Sequence, residues 1–151
     1  MMGDPWIRVT KFDRRAIDLY QRHYSCRRYA DGRRRRQFAP PGETVCLLTP
    51  LCDALFGWVY NLVPRYDGQE GVNCFVFRNE SASRASDLIC AAMEWAWHRW
   101  PRQRRLFTYV DPVAVRGSVP GYCFIRAGWR RCGMSKGGLV ILEYTRGGDG
   151  P

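Results

Sequence analysis

Residues 72–100 read VNCFVFRNESASRASDLICAAMEWAWHRW, and two periodicities meet inside them. Gly71 to Phe77 is rich in β-branched and aromatic residues, which suit a pleated strand. After the polar break, Ala85, Leu88, Ile89, Ala92, Met93, Ala96, Trp97 and Trp100 alternate steps of three and one. That spacing predicts one apolar stripe along an amphipathic helix. Ser83 or Ser86 can start the helix, Asp87 suits its first turn, His98 and Arg99 its last, and Pro101 stops it.

Towards the C-terminus, Leu106 to Val110 reads as a strand and Gly121 to Ala127 as a short helix. Trp129 to Tyr144 reads as two strands around Ser135-Lys136-Gly137-Gly138. Towards the N-terminus, Trp6 to Phe12 alternates as a first strand. Asp13 can cap a helix in which Ile17, Tyr20 and Tyr24 share a face and which ends near Ser25. Arg27 to Gln37 is too basic to pack and is expected as a surface loop closed by Pro40-Pro41-Gly42. Strands follow at Thr44 to Leu48 and Ala54 to Leu62, and Asp67-Gly68 marks the hairpin turn before Gly71. No repeat or second linker interrupts the chain, so 1–145 is expected as one domain and 146–151 as a frayed tail.

A chain of 151 residues with 46% apolar side chains can bury a core of its own and is too apolar for disorder. No apolar run approaches the roughly 18 residues that a membrane span needs, and the N-terminus lacks the apolar core of a secretion signal. A soluble, cytoplasmic protein is expected. Seven cysteines, at 26, 46, 52, 74, 90, 123 and 132, form no CxxC pair. Most fall in apolar runs, which favours reduced, buried thiols over zinc ligands or disulfides. The net charge is +10, and residues 1–38 carry eleven Arg or Lys against four Asp, or +7. Arginine's planar fork suits phosphate, although a GC-rich genome would also favour arginine.

The order strand, helix, three strands, long helix, strand, short helix, two strands resembles the GNAT (Gcn5-related N-acetyltransferase) fold over nearly the whole chain. The resemblance implies an α/β fold with a mixed, mostly antiparallel sheet of about seven strands, splayed between strands four and five and flanked by helices. It also implies an enzyme, a transferase using acetyl-CoA or a related coenzyme A thioester. In that family the fourth strand's backbone pairs with pantetheine, here at Val76. The loop R/Q-x-x-G-x-G/A offers amides to the pyrophosphate, because a helix N-terminus carries unpaired N–H groups. The matching residues are Arg78, Asn79, Glu80, Ser81, Ala82 and Ser83, with Ser81 and Ser83 standing for glycines and Arg84 following. Serine disfavours the positive φ that glycine permits. The plainer reading of the same residues is an ordinary cap cluster. The family's F-Y-x-x-x-G-F segment is matched by Cys123 to Trp129, with Phe124 where the proton-donating tyrosine usually stands. A phenyl ring donates no proton, so either Tyr122 substitutes or the chemistry differs.

That departure, with His23-Tyr24-Ser25 and Tyr109-Val110-Asp111-Pro112, resembles the Mom branch, phage proteins that modify adenines in DNA. The resemblance implies addition of a small acyl-derived group, of acetamido or carbamoylmethyl type, to the adenine N6 amine, protecting phage DNA from restriction. It places His23, Tyr24, Ser25 and Asp111 at the active centre, and it brings in iron, for which His23 with Asp111 would begin a site. Taken singly, Asp111 is an Asp-Pro turn residue and His23 a helix-end dipole partner, while Tyr24 fits the core and the site equally. Arg27, Arg28, Arg33, Arg34, Arg35 and Arg36 alternate with Tyr29 and Phe38, cations for DNA phosphates beside rings for an extruded base. A solvated charged face is the plainer account. Two other functions stay open: a conventional N-acetyltransferase of a small amine or peptide, with Tyr122 as acid, and a non-enzymatic nucleic-acid binder on a degenerate GNAT scaffold. Trp95 and Trp97 are both core or one of them marks a homodimer face.

Overall fold

The computed structural model describes residues 3–22, 36–62, 67–112 and 121–147. Seven strands and three helices alternate along them. They are β1 (Ile7–Val9), α1 (Arg14–Gln21), β2 (Glu43–Leu48), β3 (Ala54–Tyr60), β4 (Val72–Asn79) and α2 (Ala85–Arg99). β5 (Arg105–Val110), α3 (Tyr122–Arg126), β6 (Arg130–Met134) and β7 (Val140–Thr145) complete the chain. The strands form one sheet in the order β1-β2-β3-β4-β5-β7-β6. Every pair is antiparallel except β4–β5, which is parallel. The mixed seven-stranded sheet expected from the sequence is therefore present.

Alternation along the strands divides the core into two. On one face Val45, Leu47, Phe56, Trp58, Val72, Cys74 and Leu106 pack against Leu88, Ile89, Ala92, Met93 and Ala96 of α2. On the other, Cys46, Leu48, Leu55 and Val76 pack against Ala16, Ile17 and Leu19 of α1, with Phe38 alongside. Three tryptophans fasten α2 beyond simple burial. Trp6 Nε1 donates to Leu88 O (3.0 Å), Trp58 Nε1 to Ala92 O (2.9 Å), and Trp129 Nε1 points at Met93 Sδ (3.3 Å). Each indole thus finds a partner for its N–H while the ring stays in the core.

Element ends depart from the sequence reading where side chains compete for backbone groups. β1 is shorter than Trp6 to Phe12, because Asp13 N bonds Thr10 O and turns the chain into the helix. Asp13 caps α1 as expected, accepting from Arg15 N and Ala16 N, but the helix stops at Gln21 rather than near Ser25. Neither Ser83 nor Ser86 caps α2. Arg84 occupies that position with no side-chain cap bond, since Ser83 is held back in the preceding loop by Asn79 Nδ2 donating to Ser83 O (2.9 Å). Arg146, assigned by sequence to the tail, is anchored: its N bonds Arg104 O (3.0 Å) and its guanidinium lies 4.1 Å from the Trp97 ring centroid. The six described cysteines are free. Cys46 and Cys74 are buried, but Cys90 and Cys132 are exposed, against the expectation for most of the set. Among the described residues no helix is long and apolar enough to cross a membrane.

Two features fix how β4 runs. Gly57 pairs with Val76 and Trp58 with Cys74, leaving Phe75 as the extra residue of a bulge. The Phe75 ring occupies the space where a Cβ on Gly57 would stand, and it is backed by Phe38 at a centroid distance of 6.0 Å. Further along the sheet, buried Glu143 on β7 is held by Arg105 Nε (2.7 Å) and Arg130 Nη2 (2.6 Å).

Gly57→Ala is expected to destabilise the protein by about 1–3 kcal/mol through overpacking against Phe75, measured by urea unfolding. A neutral result would mean that the ring moves freely. The Arg105 guanidinium, then the Arg130 one, holds the Glu143 carboxyl below its ordinary 4.5. A depressed carboxylate contributes stability above the unfolded-state value that is lost as pH falls through the folded one. The stability gap between wild type and Glu143→Gln should therefore be full at neutral pH and close below about pH 4.5. A gap independent of pH would exclude the ionic contribution.

Candidate functional site

The parallel pairing of β4 with β5 is brief. It runs from Val72–Leu106 through Asn73–Phe107 to Cys74–Thr108 and ends there among the described residues. Thr108 Oγ1 donates to Cys74 O (2.9 Å) at this last step. Beyond it, β4 continues through Phe75 to Asn79 and β5 through Tyr109 and Val110. The strands part where the bulge turns β4, so backbone groups of β4, Val76 among them, line an opening instead of a ladder. An extended chain carrying amides can pair with such a strand edge.

The opening leads to the loop before α2, which Asn79 organises. Asn79 Oδ1 accepts from Ser81 N (2.9 Å) and Ser81 Oγ (2.5 Å), and Ser83 N donates to Ser81 Oγ (3.1 Å). Neither serine takes a positive φ, so the backbone conformation that glycine would permit is not required here. The amides of Ser81 and Ser83 are occupied by the loop's own side chains. Glu80, just before them, is bound bidentately by Arg22 (Nε 2.8 Å, Nη2 2.9 Å) and singly by Arg78 Nε (3.0 Å). Those guanidiniums, Arg22 foremost, hold its carboxyl below the usual range. Arg78 is thus already ion-paired, whereas the Arg84 side chain stands exposed at the helix start without an ion pair among the described residues.

The loop fits a diphosphate in composition, with two arginines, a helix N-terminus and small residues, provided that Glu80 and the Asn79 network yield to it. Arg22 is a site residue that the sequence reading missed. Its link to Glu80 spans 58 positions, and no local pattern signals it.

On the far wall, Asp111 follows β5 directly and is half-buried. Two residues before it, the Tyr109 hydroxyl donates to the Asp67 carboxylate of the β3–β4 connection. Tyr122 lies on α3 with 57% of its surface exposed, while Phe124 is buried. Phe124 packs edge-on to Phe77 (6.0 Å) and Trp129 (4.8 Å). The position where the family pattern puts a proton donor is therefore a core position in this chain, and a hydroxyl there would face aromatic rings.

Cys74, at the root of the parting, is buried and its thiol is pushed well up by desolvation. It stays neutral at physiological pH and is a poor nucleophile. Burial likewise raises the Cys46 thiol to about 11. His23, Tyr24, Ser25, Arg27, Arg28, Arg33, Arg34 and Arg35 lie outside the described residues. Arg36 is described and exposed. For iron, among the described residues no three of His, Cys, Asp or Glu come together. The described donor set does not fit a metal centre. Trp95 and Trp97 are half-buried, both packed against the α2 core; Trp97 also lies 6.3 Å from Tyr144.

No protein-family model matches this sequence, and neither does any curated protein. Solved structures match it in fold. One is aminoglycoside acetyltransferase AAC(6')-Ib in complex with coenzyme A, with a TM-score of 0.52 and 15% identity, covering 68% of this chain and 66% of that one. Another is the same enzyme with coenzyme A and kanamycin, with a TM-score of 0.51, 15% identity, and 68% and 67% covered. The chain thus spans about two-thirds of the length of the structures it matches. At that identity the likeness is one of fold and does not extend to the Mom branch. The seven-stranded mixed sheet, its parallel β4–β5 pair and its flanking helices are those of the GNAT fold.

Proposed function

We propose that this protein is an acyl-coenzyme A-dependent N-acyltransferase of GNAT type whose acceptor is a base amine in DNA. The observation that carries the proposal is the parting of β4 from β5 beyond Cys74 and Thr108, which opens towards the loop at the start of α2. Val76 and its neighbours on β4 would pair with the pantetheine arm. Arg78, Asn79, Ser81, Ser83 and Arg84, joined by Arg22, would hold the diphosphate. When bound, the thioester supplies an acyl carbon open to attack by an amine. Asp111, at the end of β5, would take up the proton that the amine sheds. Tyr122 is exposed and can exchange protons with solvent near α3, whereas Phe124 has a packing role. His23, Tyr24 and Ser25 join the active centre in this reading through the resemblance to Mom proteins. Arg27, Arg28, Arg33, Arg34, Arg35 and Arg36 would grip the phosphate backbone.

DNA as acceptor draws support from the net charge of +10, which favours a polyanionic partner. The finer form of this reading, a small acetamido or carbamoylmethyl-type group placed on adenine N6 to shield phage DNA, rests on the Mom-like segments. A second reading, acetylation of a small amine, draws on the similar structures, which are those of an aminoglycoside acetyltransferase.

Mass spectrometry of nucleosides from plasmid DNA, after expression of the protein beside Asp111→Ala, separates the two readings. A new adenosine-derived mass that vanishes in the variant is expected; unmodified nucleosides together with acetylation of a small amine would select the second reading. A further expectation concerns the loop. Glu80→Gln releases two guanidiniums for the diphosphate and should tighten coenzyme A binding by up to about fivefold, the limit that exposed pairs of about 0.2–1 kcal/mol allow. Weaker binding by calorimetry would assign Arg22 and Arg78 to loop architecture alone.

A further inference from the structure

Beside the parting, on the sheet face turned away from α2, one polar group is buried without a partner. In the sheet register Asn73 of β4 lies between Val59 of β3 and Phe107 of β5. These three share a face, because Trp58, Val72, Cys74 and Leu106 alternate with them and enter the α2 core. Asn73 is 7% exposed, and its Oδ1 is shut off from solvent with no hydrogen-bond partner among the described residues. Its neighbours Val59 and Phe107 are apolar and fully buried. A valine would suit the same strand position and leave no oxygen stranded.

The place of this amide says what would use it. Asn73 is one residue inside the last β4–β5 pair, so it stands at the root of the opening. Along β5 the same face continues from Phe107 to Tyr109, rings 5.9 Å apart and edge-on. Tyr109 is tied to the Asp67 carboxylate, and half-buried Asp111 follows at the next alternate position. A half-turn about χ2, a soft torsion in asparagine, exchanges the amide's oxygen and nitrogen. The residue can thus present either end without disturbing the strand.

We infer that Asn73 recognises the acceptor, its Oδ1 accepting a hydrogen bond from a neutral N–H carried on a planar group such as the exocyclic amine of a nucleobase. This rests on the acyl-transfer reading above and names the chemistry of its acceptor. A neutral amide offers an ammonium group no counter-charge of its own, and the Phe107 ring already carries the Arg105 guanidinium 4.9 Å from its centroid, which disfavours a second cation there. A neutral N–H loses less and satisfies the stranded oxygen. The half-buried Tyr109 ring adds apolar surface for a flat acceptor. Asn73 takes no proton; it positions and selects.

Asn73→Leu keeps the side chain's shape and removes its polar ends. Calorimetry on the full-length wild type and variant measures binding of coenzyme A, of a short single-stranded adenine-containing deoxyoligonucleotide and of kanamycin, with Tm alongside. The expected result is oligonucleotide binding weakened about tenfold or more, as loss of a hydrogen bond at a buried polar group entails. Coenzyme A binding should be unchanged and Tm equal or higher. Unchanged oligonucleotide affinity, a wild type that binds kanamycin and not the oligonucleotide, or a lowered Tm would each overturn the assignment, the last because the oxygen would then be satisfied in the free protein. A wild type that fails to bind coenzyme A would instead overturn the acyl-transfer reading, and the oligonucleotide comparison would still decide the role of Asn73.

Discussion

The bulge at Phe75 is the constraint on which the rest of the site depends. A regular β4 would keep its register with β3 and its parallel ladder with β5, and the sheet would close. The extra residue is tolerated because Gly57 carries no side chain where the Phe75 ring lies and because Phe38 backs that ring from the α1 side. A bulge bends its strand and increases local twist. Just before it, Thr108 Oγ1 makes the last cross-link to β4 at Cys74 O, and beyond it the two strands separate. One glycine, one aromatic ring and one threonine hydroxyl thus convert a continuous sheet into one with an opening, and α2 then places its N-terminus at the end of that opening.

The charges around the opening are arranged around an internal anion. Glu80 sits in the loop between two arginines from different elements, Arg22 after α1 and Arg78 on β4. Glu80 thereby sets a carboxylate between the two guanidiniums, and the loop amides of Ser81 and Ser83 are satisfied by the Asn79 and Ser81 side chains. An unpaired arginine cluster would be strongly self-repelling, so an internal counter-ion is a reasonable state for a protein of this net charge. It also ties the end of α1 to the loop, and α1 leads directly into the basic segment that begins at Arg27.

The architecture was legible in periodic features. The α2 stripe is buried at Leu88, Ile89, Ala92, Met93, Ala96 and Trp100, because a helix packed on one sheet face must repeat at 3.6 residues. Asp13 caps α1 through a purely local bond, which sequence can carry. The start of α2 was misjudged because Ser83 was chosen by residue type while Asn79 had already claimed its backbone carbonyl, and α1 closes at Arg22 through backbone bonds to Leu19 O and Tyr20 O that residue type does not signal. The end of β4 fails in the opposite sense, since Arg78 and Asn79 look like loop residues yet extend the strand. At the site, Asn79 was legible as one member of a motif but not as the residue that holds the loop together. The Arg22–Glu80 pair and the buried amide of Asn73 were invisible, because each depends on neighbours brought together by the sheet. Phe124 shows the limit of motif matching: its position in the pattern suggested a missing acid, and its surroundings make it a core aromatic.

The central claim is that the parting of β4 and β5 receives a coenzyme A thioester. Amide hydrogen exchange with and without coenzyme A tests it most directly. Protection confined to the second half of β4 and the loop through Ser83, spreading to the first turn of α2, is the result this account predicts. Unchanged exchange in β4, or protection elsewhere in the sheet, would contradict it.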